Sequence, residues 1–153
     1  MIDNPFNGDD EKTRNQKEYA LQVCVAEQLD GWFPYLRWTA IPNRPGDAAD
    51  GFFKKKMGVK AGMVDILCSW KVGNHLEGGL IELKVDTRVS NDQNKVMSSW
   101  SKIGWHTAVC YTAREVKDVL TLWGNKPAHN GCYEPDYRTE QEKFSDSFDF
   151  FKP

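Results

Sequence analysis

The chain has 153 residues, of which 40% are hydrophobic and 27% charged, and its formal net charge is −2. This length and composition predict one globular domain with a sizeable core, and they exclude a disordered chain, a collagen-like repeat and a disulfide miniprotein. The longest apolar run is far shorter than the roughly 20 residues that cross a bilayer, so no membrane span is expected. The first 20 residues lack the pattern of a signal or transit peptide, which predicts a cytoplasmic protein.

The charges and cysteines restrict the partners further. Residues 12–133 carry 17 basic and 12 acidic side chains, whereas both ends of the chain are acidic. A mildly basic body is compatible with a polyanionic partner, although it is a weaker indication than a pI above about 9. The four cysteines are too far apart for a C-x-x-C metal site, so buried cysteines are expected rather than zinc ligands.

The N-terminal part predicts an arm, a helix, a strand and a loop. Residues 1–12 are expected to form a flexible acidic arm. A helix is predicted over 13–30, where apolar residues recur every three or four positions before Gly31. Aromatic and β-branched residues predict a strand over 35–41. Residues 43–62, with four glycines and four lysines, are predicted to form a long loop.

The central part predicts two strands and a helix. The strands are expected over 63–70 and 80–85, with a glycine-containing connection over 71–79. Ser90 and Gln93 have the spacing of a capping box, in which each side chain bonds the other residue's backbone N–H. A helix is therefore predicted to begin there.

The C-terminal part predicts a last strand over 105–111 and a last helix, which begins at a second capping box of Thr112 and Glu115 and ends at Gly124. Residues 125–153 form an acidic extension without a clear period, expected to pack on the core or on a dimer partner. The predicted order, α-β-β-β-α-β-α, indicates an α/β domain with a mixed sheet covered by helices.

Three charged residues in the two central strands suggest chemistry. Glu82 and Lys84 point to the same face of their strand, and charges within an apolar strand are costly unless paired or metal-bound. A hairpin would bring Asp65, at the start of the preceding strand, next to Glu82. Two carboxylates beside a lysine suit a hard divalent cation, which can activate water for attack on a phosphodiester. The alternative is a salt bridge on a solvent-facing edge.

These residues belong to a wider pattern that resembles the VRR-NUC family, the virus-type replication-repair nucleases of the PD-(D/E)XK superfamily. The motifs that carry the resemblance are Pro42-Asn43, the G-x-x-x-G-x-x-D from Gly58 to Asp65, the E-x-K of Glu82 and Lys84, Gln93, and Glu27 in the first helix. The resemblance as a whole spans roughly residues 17–123, about two thirds of the chain. The resemblance implies a restriction-endonuclease-like αβββαβ core, with a mixed central sheet flanked by helices, over 13–124.

The resemblance also implies a metal centre. Asp65 and Glu82 correspond to the carboxylates that bind Mg²⁺ or Mn²⁺, helped by the backbone carbonyl of Leu83. Glu27 corresponds to the first-helix acid, which contacts the metal or a water bound to it. Lys84 corresponds to the catalytic group that positions the attacking water and offsets charge on the phosphate.

Gln93 matches a glutamine of the family that supports the catalytic site, and its alternative role is the capping box alone. One side chain is not expected to fill both roles at once. Asn43 matches the P-N motif and is a candidate DNA contact, although a turn residue would explain it equally well.

The predicted glycine-rich loop contains the candidate nucleic-acid-binding lysines, which are Lys54, Lys55, Lys56 and Lys60. They could lie along a phosphate backbone, or they could simply form a solvated loop face. Phe52 and Phe53 beside them could wedge against bases, but they are expected to cap the core instead.

The resemblance implies a metal-dependent endonuclease for branched DNA, most of all four-way junctions, in a bacterial or phage-infected cell. Two symmetric cuts predict a homodimer, for which the aromatic segment 31–35 and the C-terminal Phe148, Phe150 and Phe151 offer surfaces. Three alternatives remain: a flap or end-processing nuclease, a non-catalytic nucleic-acid-binding module with this fold, and an unrelated metal-dependent metabolic enzyme.

Overall fold

The computed structural model describes residues 8–42 and 48–149. In chain order these residues form helix α1 (Gly8–Trp32), strand β1 (Arg37–Ala40), helix α2 (Ala48–Lys56), strands β2 (Ile66–Val72) and β3 (His75–Leu83), helix α3 (Asn91–Lys102), strand β4 (His106–Cys110), and helices α4 (Ala113–Leu122) and α5 (Glu140–Asp149). No helix among them is long and apolar enough to cross a membrane.

The four strands form one sheet in the order β1-β2-β3-β4. Strand β2 is antiparallel to both of its neighbours, β1 and β3, whereas β4 is parallel to β3. A parallel pair needs a crossover connection, and α3 supplies it between β3 and β4. The predicted α/β class and mixed sheet are therefore confirmed.

Helices cover the sheet on both faces. On one face α1 and α4 pack on the alternate strand residues Ile66, Cys68, Ile81 and Leu83, and this larger core also contains Leu21, Val25, Leu29, Val116 and Leu120. On the other face Met97 of α3 packs with Val64 and Leu80. Because side chains alternate between the faces of a strand, Glu82 lies on the α3 face together with Leu80.

Strand β3 begins earlier than predicted, because two glycines assigned to a connection lie inside it. Gly78 and Gly79 pair with Ser69 and Cys68 of β2. A Cβ atom at Gly78 would lie 2.6 Å from the ring of Trp105, and one at Gly79 would lie 2.7 Å from that of Trp123. The glycines are needed because tryptophan rings cover the strand on both faces, a tertiary reason that local sequence patterns do not contain.

Two other segments are more helical than predicted. Helix α1 begins at Gly8, so the last part of the expected arm continues the helix. The expected loop over 43–62 contains α2, which ends in a Schellman motif: the N–H of Gly58 bonds to Lys55 O and the N–H of Val59 to Lys54 O. Gly58 has the left-handed φ of +89° that this motif requires. Three lysines occupy the last turn of α2, where positive charge interacts favourably with the helix dipole.

Part of the C-terminal extension packs on α1 and α4. The side-chain amide of Gln28 donates to Tyr133 O at 2.9 Å and accepts from Tyr133 N at 2.9 Å. The indole N–H of Trp32 donates to Gly131 O at 2.7 Å. The carboxylate of Glu134 accepts from the N–H groups of Ala113 and Arg114, at the start of α4. We call residues 125–134 the C-terminal strap.

Candidate active site

The pairing of β2 with β3 brings two carboxylates together. Ile66 pairs with Ile81 in an antiparallel register. Continued by one residue, that register places Asp65 level with Glu82, whose side chain lies on the α3 face of the sheet. Asp65 Oδ2 accepts a 2.8 Å hydrogen bond from the backbone N–H of Leu83, which fixes its carboxylate against β3. The convergence predicted from the sequence is therefore present.

Glu82 is a deeply buried acid, with a relative exposure of only 2%. Its Oε2 atom is buried and has no hydrogen-bond donor among the described residues. Burial, followed by the charge of Asp65, raises the pKa of Glu82 to about 8, and Lys84 opposes this rise. Burial also raises the pKa of Asp65. Two such carboxylates cannot both ionise cheaply when Lys84 is the one positive side chain acting on both among the described residues.

Lys84 provides that single positive charge. Its Nζ lies 3.2 Å from Glu82 Oε1, and the lysine side chain is 13% exposed. The two residues share a face because they are two positions apart in an extended chain. The ion pair is thus enclosed, whereas a salt bridge on a solvent-facing edge was the alternative interpretation. The ammonium group therefore lies next to the carboxylate pair and keeps little contact with solvent.

Gln93 fills both of the roles that were expected to exclude each other. Its Oε1 accepts from Ser90 N at 3.1 Å, and Ser90 Oγ accepts from Gln93 N at 3.2 Å, which completes the capping box of α3. Its Nε2 donates to Glu82 Oε1 at 2.7 Å. The expectation was wrong because an amide has an acceptor end and a donor end, which can serve separate partners.

The donor set fits a hard divalent cation. Asp65 and Glu82 present carboxylate oxygens, one of them unpartnered, and the backbone carbonyl of Leu83 follows Glu82 directly along β3. The described residues contain no cluster of three or more histidine, cysteine or acidic side chains that could hold a metal. Mg²⁺ commonly takes one or two protein carboxylates and completes its shell with waters and substrate phosphates. A two-carboxylate site therefore suits it.

Glu27 is not brought to this cluster. It is exposed, and its carboxylate accepts a 2.8 Å hydrogen bond from the Tyr133 hydroxyl. The first-helix acid that acts on Asp65 is Glu18, whose charge contributes to the raised pKa of that residue. Glu18 is anchored by a 2.9 Å hydrogen bond from the hydroxyl of Thr87, just after β3.

The sequence interpretation overlooked Glu18, although it contained a signal. Glu18 precedes the buried residues Leu21 and Val25 by three and seven positions, so it continues the apolar stripe of α1. An acid on the buried stripe of a helix is a stronger candidate for the site than one on its exposed face. Glu18 and Glu27 are separated by about 13 Å along the axis, at 1.5 Å per residue.

The candidate nucleic-acid-binding lysines lie on α2 and directly after it. Lys54, Lys55 and Lys56 occupy the last turn of α2, and Lys60 is exposed in the following segment. Asn43 lies outside the described residues. Phe52 and Phe53 do not cap the core as expected, because they are 57% and 62% exposed.

The functional assignment rests on the site itself, because comparison with known proteins gave no match. No protein-family model matches the chain, and neither a curated protein nor a solved structure does. The function is therefore argued from the geometry of Asp65, Glu82, Lys84 and Gln93.

Proposed function

We propose that the chain is a divalent-metal-dependent DNA endonuclease of the VRR-NUC type, with the αβββαβ core of the PD-(D/E)XK superfamily. The observation that carries the proposal is the buried carboxylate pair, with its unpartnered Glu82 oxygen and an enclosed lysine at 3.2 Å. The order α1-β1-β2-β3-α3-β4 supports it, with α2 as an insertion between β1 and β2. The pair consists of the aspartate of the G-x-x-x-G-x-x-D motif and the glutamate of the E-x-K motif, which supports the proposal further.

Asp65, Glu82 and the Leu83 carbonyl would hold Mg²⁺ or Mn²⁺. When bound, the cation supplies Lewis-acid activation of water and neutralises charge on the phosphate. The protein contributes a rigid, largely dry arrangement: Glu82 is held by Gln93 and Lys84, and Asp65 by the backbone of Leu83. Groups fixed in this way cost little reorganisation when the substrate arrives.

Lys84 acts on the reacting groups from its place beside Glu82. Its ammonium group can orient the attacking water and stabilise the extra negative charge that develops on the phosphate oxygens. In the reaction a bond forms between the water oxygen and phosphorus, and the bond from phosphorus to one deoxyribose oxygen breaks. That oxygen leaves with a proton, and the other product keeps the phosphate.

Four-way DNA is the substrate that we propose first, cleaved by a homodimer with one carboxylate pair for each of two symmetric strands. Within the segment 31–35, Trp32 and Phe33 are buried in the monomer, which leaves Tyr35 exposed. Phe148, on α5, is also exposed. Phe150 and Phe151 lie outside the described residues. Tyr35 and Phe148 are thus the aromatic groups available for a dimer interface.

The test uses end-labelled four-way, flap, duplex and single-stranded DNA of shared sequence, with Mg²⁺, Mn²⁺ or EDTA. We expect paired, symmetric cuts in the four-way substrate with either metal, and none with EDTA or with the Asp65→Ala variant. Asp118→Asn, an exposed acid on α4, is the control and should cut normally. Absence of cleavage in every substrate would overturn the nuclease proposal, and cleavage of flaps alone would redirect it to flap processing.

A further inference from the structure

Helix α2 exposes aromatic rings that the proposed catalytic site does not use. We call residues 51–62 the aromatic-lysine segment. Phe52 and Phe53 are 57% and 62% exposed, and their rings meet edge to face at 5.9 Å. Lys56 Nζ lies 4.8 Å from the centre of the Phe52 ring. Exposed phenylalanines on a monomer are costly in water, so a pair of them indicates a surface that is covered in use.

The charge of this segment indicates what covers it. Residues 51–62 contain four lysines and no acid. Lys54, Lys55 and Lys56 follow the two phenylalanines directly, so the rings and the positive charges lie within two helical turns. A basic surface with interleaved aromatic rings matches a single-stranded nucleic acid, whose phosphates face the cations while its bases stack on the rings. Paired bases within a duplex are already stacked and cannot reach the rings.

The segment is fixed close to the carboxylate pair. Helix α2 carries the rings in its middle and ends in its Schellman motif at Gly58. Gly62 packs tightly on α3, since a Cβ atom there would lie 2.5 Å from the backbone of Asp92. Asp92 adjoins Gln93, the residue that holds Glu82. Lys60 and Asp65 are five residues apart, a span of at most about 18 Å even in extended chain.

We propose that the aromatic-lysine segment binds unpaired nucleotides of the DNA substrate, with Phe52 and Phe53 stacking on bases and the lysines contacting the flanking phosphates. This inference rests on the proposed nuclease function for its substrate. It adds a reason for structure selectivity: a branch point offers splayed, unstacked bases a short distance from the bond to be cut, whereas an intact duplex does not. The segment would favour positions where strands separate.

Helix α5 provides a matched control, because it also exposes two phenylalanines. Phe144 and Phe148 are 65% and 62% exposed, with ring centres 5.2 Å apart. Their helix, however, carries four acids and one lysine. Negative charge repels phosphate, so this pair should contribute nothing to DNA binding. The two helices differ in charge while they match in exposed aromatic area.

The experiment measures binding of fluorescent DNA in EDTA, which separates binding from cleavage. The probes are a single strand, a blunt duplex and a forked duplex of shared sequence. The variants are Phe52→Leu with Phe53→Leu, which keeps apolar volume but removes the rings, and Phe144→Leu, which leaves the candidate dimer contact Phe148 in place. We expect the double variant to weaken single-strand and fork binding about tenfold or more, since each stacked base contributes substantially. Duplex binding should change less than twofold, and the Phe144→Leu variant should bind as the wild type does.

Each outcome decides the inference. Equal losses on duplex and single strand, or no loss on any probe, would overturn it. A wild-type protein that binds none of the probes would also overturn it. A change in sedimentation of the Phe52 and Phe53 variant without DNA would assign the rings to a second copy of the chain instead. Ring-dependent fork binding without cleavage of any substrate in Mg²⁺ or Mn²⁺ would support this surface and refute the nuclease.

Discussion

The carboxylate site and the aromatic-lysine segment lie near each other in sequence but are built in opposite ways. Glu82 is buried and contacts Gln93 at 2.7 Å and Lys84 at 3.2 Å, and Asp65, Lys84 and Gln93 around it are partly buried. On α2 the lysines and rings are largely exposed to solvent. Buried groups interact more strongly with nearby charges and are held in a fixed geometry. Exposed groups can contact a ligand over a larger surface, and salt weakens their attraction to it. The contrast predicts that reaction and DNA binding respond to separate substitutions.

The largest effect should follow removal of a carboxylate. We expect Asp65→Ala or Glu82→Ala to lower the cleavage rate at least about a thousandfold, because several kcal/mol of charge stabilisation is lost with the cation. Affinity for DNA in EDTA should remain within about twofold, since phosphate contacts elsewhere dominate it. Single-turnover cleavage and fluorescence anisotropy measure the two quantities. Retained cleavage in either variant would refute the site.

The second-largest effect should follow removal of Lys84. Lys84→Ala should slow cleavage about a hundredfold or more, the scale of losing one group that stabilises a developing charge. DNA affinity should be nearly unchanged, because Lys84 is one charge among many. Lys71→Ala, at an exposed position of β2, is the matched control and should leave both quantities unchanged. Parallel loss of binding and cleavage would instead identify Lys84 as a phosphate anchor, and the separation between the two regions would fail.

Charge removal on α2 should show the opposite pattern. Replacing Lys54, Lys55 and Lys56 by glutamine should weaken single-strand binding about tenfold and reduce the salt slope by about 2, at about 0.7 per phosphate contact. Cleavage at saturating DNA should be unchanged. A triple substitution of exposed lysines elsewhere, Lys71, Lys102 and Lys126, is the control. An unchanged salt slope would show that α2 does not contact phosphates.

The two roles of Gln93 can be separated by comparing it with its capping partner. Ser90→Ala removes the acceptor of the Gln93 backbone N–H but leaves the Gln93–Glu82 hydrogen bond. Gln93→Ala keeps that backbone bond and removes the two bonds of the Gln93 side chain, to Ser90 N and to Glu82. Both variants should lose about 1 kcal/mol of folding free energy. Only Gln93→Ala should slow cleavage, by about tenfold, since Glu82 would lose its donor. Urea unfolding and single-turnover assays test this, and equal cleavage in the two variants would leave Gln93 a capping residue only.

The smallest effect concerns pH and stability. Between the ordinary pKa of 4.5 and its raised value of about 8, Glu82 holds a proton in the folded chain that the unfolded chain has released. The folded state binds more protons, so the stability of the metal-free protein should fall as pH rises through this window. Glu82→Gln should flatten that part of the profile. The measurement is the urea midpoint in EDTA at several pH values, and identical profiles would contradict the assignment.

The sequence predicts the order of elements well, because helix and strand periodicity and capping residues act locally. It also predicts that Asp65 and Glu82 meet, since two short strands joined by a short connection pair as a hairpin. The order of strands and the two helical layers follow from general rules for α/β folds. The capped helices and the β2–β3 hairpin depend mainly on contacts between residues that are near in sequence.

Three other features could not be predicted from the sequence. Gly78 and Gly79 are strand residues only because Trp105 and Trp123 cover them, and those contacts join distant parts of the chain. The choice of Glu18 over Glu27 depends on how α1 is rotated against the sheet. Helix α2 is short and rich in glycine and lysine, so its composition resembles that of a loop.

The C-terminal strap has a consequence for how the protein is made. Gln28 and Trp32 of α1 bond to Tyr133 and Gly131, and the first N–H groups of α4 bond to Glu134. Gln28 and Tyr133 are separated by 105 residues, a long loop to close. On the ribosome, α1 is synthesised long before these partners exist. The side of α1 that faces the strap therefore lacks its partners until the chain has been synthesised up to Glu134. This part of the fold is completed only then, after all four strands of the sheet have been made.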